Sequence, residues 1–156
     1  MLRVADIDRH AARALLRRFN LELIDVDDGE PIPGSYWGEP EAGVIGHRVF
    51  VRGDTPVHSL LHEACHLIVA DIDRRPLIHT DASDSQSEED AACYLQILLA
   101  DELPGVGRER IMANMDAWGY TFRLGSVRAW FERDAEDARM WLRQRRLLDA
   151  AHTVAA

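Results

Sequence analysis

The chain contains no lysine: all 18 of its basic side chains are arginine. That absence reads as a compositional habit rather than a device, because the arginines are interspersed with acids instead of clustered. The one dense group, Arg143-Gln144-Arg145-Arg146, sits where a helix C-terminus favours positive charge. With 27 acidic residues and a formal net charge of −9, the chain lacks the basic surface that phosphate binding needs, which excludes nucleic acid as a direct partner. Cysteine is scarce as well. Cys65 and Cys93 are too few for a disulfide framework, and each falls in an apolar helical stretch where a buried, reduced thiol is expected. No apolar run is long enough to span a bilayer, and the N-terminus has no basic-then-apolar leader. A cytoplasmic protein with no membrane partner is the expectation.

What is present suits a globular chain: 47% hydrophobic and 29% charged residues over a length that can bury a real core. No internal repeat, linker or low-complexity stretch divides it, so residues 1–156 are expected to form one domain. Residues 7–19 read as an amphipathic helix, and 21–26 alternate apolar and acidic side chains as a strand would. Residues 43–52 suggest two strands around a turn at Gly46-His47. A helix should begin after Gly53-Asp54-Thr55, with Asp54 or Thr55 as cap and Pro56 in its first position, and end near Asp71 to Asp73. Polar residues 74–87 read as a loop. An apolar helix follows at 87–101 and a short helix around 108–118, then a turn or short strand at 119–125, and one long amphipathic helix from Ser126 to Leu148. Helix, strands, then helices make an α+β layout.

The most informative residues are His62-Glu63-Ala64-Cys65-His66, an H-E-x-x-H pentad. On a helix both imidazoles project from one face and can reach a single metal ion, with Glu63 beside them to take a proton from water activated there. Between Pro56 and Val69 the only other titratable side chain is His58, so the helix is expected to be largely buried. Two histidines and a glutamate on a buried helix need partners, and a metal satisfies all three.

A catalytic zinc needs a third protein ligand and an open position. The metzincin extension is excluded, because Val69 and Ile72 stand where its glycine and third histidine belong. Asp71 and Asp73 read more simply as a solvated helix end. That leaves a glutamate from the following helix, Glu88 or Glu89. Glu88 shares its stripe with Ala91, Leu95 and Leu99, an apolar row; Glu89 shares a more polar row with Cys93, Gln96 and Ala100. An inward-pointing ligand favours Glu88, with Glu89 the alternative. Ser85 and Glu88 also have capping-box spacing, which accounts for an acid there without any metal.

With His62-Glu63-x-x-His66 joined to Glu88-x-x-Ala91, the chain resembles the small gluzincin metallopeptidases of the ImmA/IrrE type. The likeness runs from about residue 44 to 100, through Arg48-Val49-Phe50-Val51, the pentad with its apolar flanks, and Glu88-x-x-Ala91-x-x-Tyr94 before Leu98-Leu99. Ala92, Tyr94 and Ala100-Asp101 depart from the family's usual residues, and residues 106–156 have no counterpart in it. The resemblance implies a zincin-like (minigluzincin) core: a small, mainly antiparallel sheet packed on the H-E-x-x-H helix and a glutamate-bearing helix, here with a C-terminal helical extension. It further implies Zn2+ held by His62, His66 and Glu88, and hydrolysis of a peptide or protein substrate with Glu63 as general base. Members of that family often cleave regulatory proteins. An oxyanion donor is also required, and His58, His79, Tyr94 and Tyr120 are the candidates. A rival reading is a non-catalytic interaction module that keeps the zincin scaffold.

Overall fold

Alternation along the strands decides which face of the sheet is covered. In the computed structural model, which describes residues 1–35, 38–80, 85–149 and 153–154, three strands form one mixed sheet: β1 (Glu22–Val26), β2 (Gly43–Ile45) and β3 (Arg48–Arg52). Their order is β1-β3-β2. Val49 lies opposite Leu23 on one side and Val44 on the other, and all three are buried, so a single apolar row crosses the sheet. The hairpin at Gly46-His47 makes β2 antiparallel to β3, whereas β1 runs parallel to β3. This corrects the expectation of a mainly antiparallel sheet: the connection 27–42 carries the chain from the end of β1 across to β2, and β1 then aligns with β3 in the same direction.

That connection returns against the sheet at very close range. Ser35 bridges Gly43, and a Cβ on Gly43 would lie 1.9 Å from the Pro33 carbonyl oxygen. Only glycine fits there. The outer side of β2 is bridged again where Ile45 meets His79.

Among the described residues there are six α-helices: α1 (Arg9–Arg17), α2 (Val57–Val69), α3 (Gln86–Ala100), α4 (Gly107–Trp118), α5 (Val127–Arg133) and α6 (Glu136–Gln144). Helix α2 starts as expected in place but not in chemistry. Pro56 is its N-cap residue and no side chain caps it. The Asp54 carboxylate accepts from Arg52 at 2.7 and 2.9 Å, and the Thr55 hydroxyl accepts from the Arg52 amide at 2.9 Å, so both expected caps are engaged elsewhere. The Leu2 carbonyl instead takes the first orphan donor, Val57 N–H, at 3.0 Å. The helix ends at Val69, earlier than expected, and the next residues form a turn and a 3₁₀ segment, Arg75–Leu77, in the stretch expected to be loop.

Helix α2 is buried nearly throughout and packs along α3, with Leu60, Leu61 and Leu67 on one helix and Leu95, Ile97 and Leu99 on the other all within the core. The expected long final helix is broken. Asp134, between α5 and α6, leaves helical geometry (φ −135°, ψ 9°) and its carboxylate pairs with Arg123. The break lets α5 place Phe131 in a stack on Tyr94, ring centroids 4.7 Å apart, while α6 buries Ala138 and Leu142. No described helix is long and apolar enough to cross a membrane.

Candidate metal centre

The pentad lies on α2 as its spacing requires. His62 Nε2 and His66 Nε2 are 3.1 Å apart. Across from them on α3 stands Glu89, with one carboxylate oxygen 3.1 Å from His62 Nε2 and the other 2.6 Å from His66 Nε2. Among the described residues these three form the group that could hold a metal ion, each offering one ligand atom and all within 4.8 Å of one another. The donor set suits a small cation. Two imidazole nitrogens and a carboxylate converge on one space, and a four-coordinate zinc, with bonds of about 2.0–2.1 Å, holds neighbouring ligands about 3.3 Å apart.

Glu88 does not join them, which corrects the expectation for the third ligand. Its carboxylate is buried, but it faces Arg74 on the segment after α2 and forms an ion pair with that guanidinium. Its backbone N–H donates to the Ser85 hydroxyl at 3.1 Å, so the capping half of the Ser85–Glu88 pattern is real. Phase explains the difference. The apolar row carrying Glu88 points into the core, while the polar row Glu89-Cys93-Gln96 points at the histidines of α2. Cys93 and Gln96 are themselves buried, so a polar stripe on this helix marks the site rather than the solvent. Asp71 and Asp73 are exposed and take no part.

Burial opposes charge on Glu89, but its hydrogen bonds to His62 and His66 outweigh that and hold its carboxyl well below the usual carboxylate range. It is therefore an anion, as a carboxylate that could hold a metal would be. Burial pushes the Cys93 thiol up, so although its sulfur is 4.0 Å from His62 Nδ1 it remains a neutral neighbour.

Beside the cluster opens a cleft of about 420 Å³ lined by Glu41, His58, Ser59, His62, Glu63, Glu89, Trp118, Gly119 and Tyr120. Glu63 thus shares one cavity with the metal-ligand group. Burial raises its carboxyl above the ordinary value; His62 and His66 pull it down in part, and Glu89 and Glu41 push it up again. A carboxylate raised in this way is a better proton acceptor than a solvated one. Of the four oxyanion candidates, His58 and Tyr120 reach this cleft. The Tyr120 hydroxyl is 3.1 Å from His58 Nδ1. Tyr94 is packed against Trp130 and Phe131, and His79 is exposed and bonded to Thr80.

Three further residues were not singled out from the sequence. Trp118 and Glu41 meet across the cleft mouth, indole N–H to carboxylate at 2.8 Å. Gln96 stands behind His62, its side-chain oxygen 2.7 Å from Nδ1. Glu41 and Trp118 come from distant segments with no spacing to link them, but Gln96 carried a signal: it is the polar residue two turns along from Glu89 and one turn along from Cys93. Comparison with protein-family models, with curated proteins and with solved structures gave no match.

Proposed function

We propose that this chain is a zinc-dependent metallopeptidase of the gluzincin type, with a zincin-like core, whose metal ligands are His62, His66 and Glu89 and whose general base is Glu63. The observation that carries the reading is the shared cavity: His62 and Glu89 of the three-donor cluster line a cleft that Glu63 also lines. A structural metal site is closed on all sides and needs no base. Zinc bound at this cluster would supply a Lewis acid that polarises a carbonyl and acidifies water. Glu63 takes the proton from the attacking water and returns it to the leaving amine. Ser59, Trp118 and Tyr120 line the same cleft and are available to hold a peptide in place. A peptide or protein substrate, such as a regulatory protein, follows from the resemblance to ImmA/IrrE-type peptidases.

The test is cleavage of casein or a fluorogenic peptide mixture by the zinc-loaded protein. Glu63→Gln is expected to lower turnover by about 10²–10⁴-fold while keeping its metal. Zinc binding without any Glu63-dependent cleavage would instead favour the non-catalytic interaction module.

A further inference from the structure

We infer that Gln96 is the positioning residue of the metal centre: its side-chain oxygen takes the Nδ1 proton of His62 and so commits Nε2 of that ring to the metal. The inference rests on the reading of His62, His66 and Glu89 as a ligand set and concerns what holds that set in order.

A neutral imidazole has one N–H and one lone pair, and whichever nitrogen donates a hydrogen bond leaves the other to bind metal. Gln96 is fully buried, so water does not compete for its amide. The amide cannot turn over. Its nitrogen donates to the His58 backbone carbonyl at 3.1 Å, a partner that can only accept. The Tyr120 hydroxyl is bonded to the same amide. The Gln96 oxygen therefore faces His62 Nδ1, at 2.7 Å, and an amide oxygen has no proton to give. Nδ1 must carry the hydrogen. With Nδ1 so occupied, Nε2 is the nitrogen that would bind a metal in the space it shares with His66 Nε2 and Glu89, giving up the hydrogen it otherwise donates to the Glu89 carboxylate.

The two histidines are held differently. His66 Nδ1 is buried with no hydrogen-bond partner among the described residues, so no acceptor holds that ring from behind. His62 keeps 13% of its side-chain surface and lines the cleft, and Gln96 gives it the partner at its back that His66 lacks. Helix α3 supplies both groups from one face: Glu89 in front of His62 and Gln96 behind it, seven positions apart. A partner of this kind orients a ligand and raises its basicity.

The test is a zinc-affinity titration of the full chain against a chromophoric chelator, with 1H–15N spectra of the histidine rings in the zinc-loaded protein. Gln96→Met keeps the volume and removes the acceptor; Gln96→Glu keeps the acceptor. Gln96→Met is expected to weaken zinc binding by about 10–100-fold, and Gln96→Glu to bind as tightly as wild type or more so. The His62 Nδ1 proton should be protected from exchange in wild type and Gln96→Glu and lost in Gln96→Met. A folded Gln96→Met that binds zinc as wild type does, or a His62 that ligates through Nδ1, overturns the inference and leaves the ligand set standing. Should Gln96→Met not fold, a tenfold weaker Gln96→Glu overturns it equally. Wild-type protein that binds no zinc overturns both the ligand set and this inference.

Discussion

His58 stands one turn before His62, buried to 1% exposure, with one ring nitrogen bonded to Tyr120 and the other without a partner. Burial first, and the nearby His62 second, depress its pKa from 6.5 to about 4. An unfolded chain binds a proton at this residue below about pH 6.5, whereas the folded chain resists until about pH 4. Between those values the unfolded state holds more protons, so this residue makes stability fall as the pH drops across that window. Chemical denaturation at pH 7 and pH 5 should show a smaller loss for His58→Phe than for wild type. Equal losses would mean that His58 does not titrate abnormally. The neighbouring residue problem, Glu88 against Glu89, shows what was legible at this scale. The pentad and Glu63 could be read from spacing alone. The carboxylate that faces the two histidines could not, because an apolar stripe tells that a carboxylate points inward but not what it meets there. Glu88 meets Arg74, and Glu88→Ala is expected to cost about 1–3 kcal/mol of stability, measured by urea denaturation, since it removes the buried carboxylate that pairs with that guanidinium.

Helix ends do the positioning at the next scale. Ser85 caps α3 by accepting from the Glu88 N–H, which sets the first turn that carries Glu89. Ser85→Ala is expected to lower the unfolding free energy by about 1 kcal/mol and, on the proposed ligand set, to weaken metal binding, because the frayed turn is the one that carries Glu89. A thermal melt paired with a zinc titration checks both. Gly119 closes α4 in the left-handed region, φ +112°, and its N–H together with that of Tyr120 satisfies carbonyls of the last turn. That reversal sends Tyr120 into the cleft. The positions of α1, the β2–β3 hairpin, α2, α3 and α4 were legible because hydrophobic period, turn glycines and caps agree locally. The parallel pairing of β1 with β3 was not, since pairing partners distant in sequence leave no local mark. Nor was the break at Asp134: residues 126–148 keep a helical period throughout, and the interruption serves packing on Tyr94 from one half and on α3 from the other.

For the whole molecule, α2 and α3 run together through the core and carry all three residues of the candidate metal group, so binding of a metal there is expected to be coupled to folding. Zinc at about a hundred times its Kd is expected to add about 2.7 kcal/mol of stability and raise the melting midpoint by about 5–10 °C. A midpoint indifferent to zinc and to chelator would separate the two. The central claim is that Glu89, not Glu88, completes a site with His62 and His66, and the most direct measurement is zinc per chain in freshly purified protein. Wild type and Glu88→Ala are expected to carry about one zinc ion each, and His62→Ala and Glu89→Ala close to none. Zinc kept by Glu89→Ala but lost from Glu88→Ala, or no zinc in wild type, would contradict it.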